Sequence, residues 1–214
     1  MAGYWSIVSN NPVNSLIDNA MKKLNLICLL SICIAGGSAA TPAYSHVIPE
    51  DELRNQVYLT TNEALKKVFE GVRKIKREKH KVSSVQKNQI EKTTQQQLKS
   101  QRIEFYTARA KDQKIYATIG KASANSHPVT EAKFVVLIDS QGLLKDIHIM
   151  EYRGPQRAEI ISRAFLDQYL SKSAESDFST VTSNQGPTLS TQALNQAVLK
   201  ILILYKALYI DSTN

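Results

Sequence analysis

The segment Asn184-Gln185-Gly186-Pro187-Thr188-Leu189-Ser190-Thr191 places a glycine and three hydroxyl side chains ahead of a long apolar run. At the start of a helix the first N–H groups have no intrahelical acceptor, and the helix dipole favours negative charge there. Such a mouth binds anions, phosphate above all. Gly186 permits a positive φ or a close backbone approach. The same residues also serve as an ordinary Ser or Thr cap, so on local grounds both readings stand. The histidines His46, His80, His127 and His148 show no metal-ligand spacing. His148 falls in mid-strand, where a histidine is more often structural than catalytic. Arg163 is a candidate phosphate partner or a solvated helix charge.

The elements that position this segment follow from periodicity. Thr60-Thr61-Asn62-Glu63 opens a helix carrying Ala64, Leu65, Val68 and Phe69 on one face, with Thr61 as the expected N-cap. Val85–Leu98 reads as a mostly exposed helix capped by Ser83 or Ser84. From Ile103 the period becomes two. Ile103–Arg109 and Lys114–Lys121 make one hairpin, and Phe134–Ile138 and Leu143–Met150 make a second around Asp139-Ser140-Gln141-Gly142. Strict alternation in the last strand puts Leu144, Asp146 and His148 on one face and Ile147 and Ile149 on the other. Arg153-Gly154-Pro155 ends the sheet. Glu159–Leu170 reads as one amphipathic helix presenting Ile160, Ala164, Phe165 and Tyr169, and 171–187 as a loop. Leu189–Ile210 is a long apolar helix suited to a core position against a sheet. The expected fold class is α+β: an antiparallel sheet of two hairpins packed against a long C-terminal helix and shorter helices.

Charge and cysteine usage narrow the function classes. The 214 residues carry a formal charge of +8 from 27 basic and 19 acidic side chains. Residues 73–102 alone hold ten Lys or Arg against Glu78 and Glu91, so the excess is local. The run lacks interleaved aromatics for base stacking, which argues against a nucleic-acid partner. The expectation is a basic helix: a solvated face, or a surface that steers an acidic partner. Met21-Lys22-Lys23 and the uncharged stretch 24–45 form a signal peptide or a membrane anchor, which places the protein in the periplasm or on the outer face of the cytoplasmic membrane. Residues 1–20 fit neither and read as an artefactual or non-structural extension. Cys28 and Cys33 both lie in the leader, so a cleaved chain has no thiol. Disulfides, thiolate metal sites and cysteine-linked haem are then excluded. The expected organisation is an N-terminal helical, basic region at 46–102 followed by a cofactor domain at 103–214.

Four segments in order along the chain carry a resemblance: VYLTTNEALKKVF (57–69), FVVLIDSQGLLKDIHIMEYRG (134–154), AEIISRAFLDQYLSKS (158–173) and QGPTLSTQALNQAVLKILILY (185–205). Across 56–208 the chain resembles the FMN-binding domain family, which includes flavin-carrying subunits of the RnfG and NqrC type and small exported FMN-binding proteins. The resemblance implies a domain at 103–214 that carries FMN, joined through its phosphate to Thr188 by a separate flavin transferase. It implies electron transfer rather than conversion of a substrate, with a membrane-bound redox partner or cytochrome. The implied cofactor-binding residues are Thr188, Gly186, Leu189, Ser190 and Thr191 at the helix mouth, and Glu151, Tyr152 and Arg153 at the strand end. The chain departs from the family's pattern at Thr182, Gln185 and Pro187. The alternative function is a member of the fold without flavin, acting as a binding or adaptor module through the basic helix.

Overall fold

Period-two alternation through residues 102–153 produces four long antiparallel strands, and two shorter ones complete the sheet. The computed structural model describes residues 54–94, 96–124 and 130–213. The segments expected to be a leader and an extension before it, with Cys28 and Cys33, lie outside the described residues, as do His46 and His127. The strands are β1 (Gln56–Val57), β2 (Lys76–Lys81), β3 (Arg102–Ala110), β4 (Gln113–Ala124), β5 (Thr130–Ile138) and β6 (Leu144–Arg153). Their order is β1-β6-β5-β4-β3-β2, antiparallel throughout. The helices are α1 (Thr61–Val68), α2 (Ser84–Thr94), α3 (Arg157–Ile160), α4 (Arg163–Leu166) and α5 (Leu189–Tyr205), which runs into a π-turn at Lys206–Ile210. The architecture is the expected α+β fold.

The two faces of the sheet bury different helices. Phe105, Tyr116, Phe134, Val136 and Ile138 pack against Leu194, Val198, Ile201 and Tyr205 of α5. Ala108, Ala117, Val135 and Met150 pack against Ala64, Val68 and Phe69 of α1 on the opposite face. Each large apolar side chain so buried stabilises the fold by about 1.5–3 kcal/mol before entropy is counted. Leu189–Ile210 is apolar and long enough to cross a membrane by length and composition. Ten of the seventeen α5 residues are buried in the fold, as a core helix requires. Gly120 leaves room for Ile201 of α5 and for the Phe134 ring against β4. A Cβ there would lie 2.4 Å from the Phe134 ring and 2.6 Å from Ile201.

Several local expectations need correction. The cap of α1 is Thr60, not Thr61: its hydroxyl accepts from the Glu63 N–H while the Glu63 carboxylate accepts from the Thr60 N–H, a reciprocal capping box. The basic region is not helical throughout. Lys76–Lys81 is an edge strand of the sheet, and helix is confined to 61–68 and 84–94. β1 and β2, both from this region, are the two edge strands of the sheet. The expected helix over 159–170 is broken, because the Ser162 hydroxyl caps a new turn by accepting from the Phe165 N–H. Ala164 is exposed, while Ile160, Phe165 and Tyr169 are buried.

Register shifts between Leu137 and Ile138, and between Lys133 and Phe134, put two bulges into β6. A bulge inserts one residue and so changes which face the following side chains meet. Leu144 consequently shares the α5-side core with Ile147 and Ile149, rather than facing away from them.

Candidate cofactor-attachment site

Thr188 is the N-cap of α5. Its hydroxyl accepts from the Thr191 N–H at 3.2 Å, and the Thr191 hydroxyl accepts from the Thr188 N–H at 2.9 Å. Thr191 Oγ1 also lies 2.9 Å from the Thr188 carbonyl, to which it donates. Just before this cap the chain makes a tight turn. The Gly186 N–H donates to the Ser183 carbonyl at 2.8 Å, and Ser183 Oγ donates to the Gly186 carbonyl at 2.9 Å. Gly186 has φ +85°, and nothing lies within 4 Å of where its Cβ would be. Open space therefore adjoins a half-buried hydroxyl at the positive end of a long helix.

Three attachments hold this mouth in place. Ser190, buried, shares a 3.1 Å hydroxyl–hydroxyl hydrogen bond with Thr130 at the start of β5. Asn195 donates to the carbonyls of Phe178 and Val181 at 2.9 and 3.0 Å and accepts from the Tyr169 hydroxyl at 2.6 Å. Burial holds the Tyr169 phenol far above its ordinary pKa, so it stays a donor. The start of α3 closes the other side: Nε2 of its N-cap Gln156 donates to Gln185 Oε1 at 2.7 Å, and the Glu159 carboxylate accepts from the Asn184 N–H. Gln156 is itself left-handed, with φ +59°, and its Oε1 is buried with no hydrogen-bond partner among the described residues. A buried acceptor left alone costs about 1–3 kcal/mol, which a bound donor would recover.

The residues implied by the resemblance divide into two groups. Gly186, Thr188, Leu189, Ser190 and Thr191 lie together at the mouth. Thr191 and Ser190 turn inward to the cap and to Thr130, and Leu189 stands 58% exposed beside Thr188. Tyr152 is buried on the α5 side, its hydroxyl donating to the Pro155 carbonyl at 2.7 Å and lying against Gly154. Glu151 and Arg153 do not join the mouth. Their cross-strand partners are Lys133 and Glu131, on the face that packs α1. Glu151 takes a 2.7 Å ion pair from Lys133, which holds its carboxyl below the usual range. The second bulge is the reason: it brings Tyr152 onto the face of Phe134 and sends its neighbours to the other.

Arg163 and His148 are both tied to Asp146. Arg163 donates to Asp146 at 3.1 Å, to the Ile147 carbonyl at 3.0 Å and to Asp167. His148 Nε2 lies 2.8 Å from Asp146 Oδ2. The sequence reading missed Thr130, Gln156 and Asn195. Asn195 alone left a signal, as a polar residue between Leu194 and Val198 on the buried side of an apolar helix. Among the described residues no three His, Cys, Asp or Glu side chains gather to hold a metal ion. Comparison with protein-family models, curated proteins and solved structures gave no match.

Proposed function

We propose that this chain is an exported electron carrier whose FMN is joined through its phosphate to the Thr188 hydroxyl. The observation that carries the reading is the position of Thr188: a helix N-cap hydroxyl, flanked by the open, positive-φ Gly186. The residues fit the group on three counts. Thr188 Oγ1 supplies the ester oxygen, and the first turn of α5 with its dipole favours the phosphate charge. Turned out of its contact with Gln185, the Gln156 amide would offer its now buried Oε1 as an acceptor to the hydroxyl-rich side chain of the flavin. Exposed Leu189 offers apolar surface to its ring.

Attachment exchanges the Thr188 O–H bond for an O–P bond: a flavin transferase breaks the phosphoanhydride of a flavin dinucleotide, the flavin phosphate goes to Thr188, and the nucleoside monophosphate leaves with the proton. When bound, FMN supplies one- and two-electron redox chemistry. The chain's own work is positional. Asn195 and Ser190 tie the mouth to the core, and the Thr191 N–H still has an acceptor in the esterified oxygen. No side chain need act as an acid or base on a substrate. The reading extends to a membrane-bound redox partner or cytochrome, and to the periplasm or the outer face of the cytoplasmic membrane.

Co-expression with a flavin transferase tests it. The wild-type band should fluoresce under blue light in a denaturing gel, Thr188→Ser should retain some signal, and Thr188→Ala should lose it. A dark wild-type band overturns the proposal.

A further inference from the structure

A second feature lies far from Thr188. A cavity of about 620 Å³ opens beside the middle of α5, where β3, β4 and the segment 96–100 meet it. Its size falls within the range of small-molecule sites. Leu98, Ile103, Phe105, Ala197, Ile201 and Leu204 give it an apolar wall. The rim carries Lys99 and Lys200, and no Asp or Glu lines the cavity. Lys200 is half-buried, and its ammonium donates to an amide oxygen, Gln96 Oε1, at 2.8 Å. Among the described residues no carboxylate forms an ion pair with Lys99 or Lys200. Burial, and then the charge of Lys99, push the Lys200 pKa down, as expected of a cation without a counter-charge. Lys121 also borders the cavity, but its cross-strand partner is Lys133, on the α1 face, so it adds no side-chain charge to the rim.

We propose that this cavity binds a single-chain amphiphilic carboxylate, a fatty acid, with its headgroup between Lys99 and Lys200 and its chain against Leu98, Ile103 and Ile201. Two cations at the mouth of an apolar hollow, with no carboxylate partner among the described residues, match one anion at the end of one alkyl chain. A charge-assisted hydrogen bond to a partly buried ammonium is among the stronger polar contacts available. The concave wall suits a chain rather than a second protein surface. Thr188 and Lys200 stand twelve residues apart on one helix, about 18 Å, so the two sites are independent.

Calorimetric titration of the full, delipidated chain with dodecanoate tests the assignment, with dodecanol as the uncharged probe. The expected result is one-to-one dodecanoate binding, weakened about tenfold by Lys200→Gln and similarly by Lys99→Gln, the loss of about one charged hydrogen bond. Dodecanol should bind more weakly and alike to all three proteins. Thr188→Ala should leave dodecanoate affinity unchanged, whatever its effect on flavin. The proposal is overturned if wild type gives no binding heat, if neither lysine variant weakens dodecanoate, or if dodecanol binds as tightly as dodecanoate. Far-UV circular dichroism of each variant confirms that lost binding is not lost folding.

Discussion

Asp146 shows how one carboxylate organises its surroundings. It faces His148, Arg163 and the Ile147 N–H at once. Burial opposes its ionisation, but these three partners outweigh burial and hold its pKa below the ordinary 3.8. A carboxyl depressed in the folded state stabilises the fold above its unfolded pKa, and this stabilisation is lost as the pH falls through the folded value. Asp146→Asn should therefore lower stability at pH 7 by roughly 1–2 kcal/mol. It should also flatten the loss of stability below about pH 4. Urea unfolding at pH 7 and pH 3 measures both; equal slopes in wild type and variant would contradict this account.

At the scale of elements, Asn195 joins three pieces: α5, the turn at Tyr169 and the loop containing Phe178 and Val181. Asn195→Leu leaves two carbonyls and one hydroxyl without their partner. The expected destabilisation is about 2–3 kcal/mol by chemical unfolding. Amide exchange over residues 178–188 should quicken more than over β4 and β5, because this one side chain ties the loop to the helix. Uniform quickening would mean that Asn195 supports the fold generally and not the mouth.

The long strands and α5 were legible because their periodicity is local. The edge strand β2 was not. Its sequence, KREKHK, has no apolar stripe, and its inward residues Glu78 and His80 are satisfied by Tyr209, 2.7–3.0 Å away but contributed by the far end of the chain. Likewise Gly186 and Thr188 announced a helix mouth. The faces of Glu151 and Arg153 were hidden by a bulge that no alternation pattern encodes.

For the molecule as a whole, the basic segment takes a new meaning. β2 is the exposed edge of a six-stranded sheet, and its Lys76, Lys79 and Lys81 are exposed. Lysines on an edge oppose pairing with another sheet. Replacing all three with threonine should preserve the fold and promote self-association with increasing protein concentration, read by light scattering. A monomeric triple variant would return the basic run to the role of a partner surface. Salt should then weaken partner binding.

Flavin attachment depends on one hydroxyl, that of Thr188. Intact-mass measurement of protein co-expressed with a flavin transferase, followed by peptide mapping, tests it most directly. The expected result is a gain of one FMN less one water, on the peptide containing Thr188, absent from Thr188→Ala. An unmodified wild-type chain, or a flavin on any other residue, would contradict it.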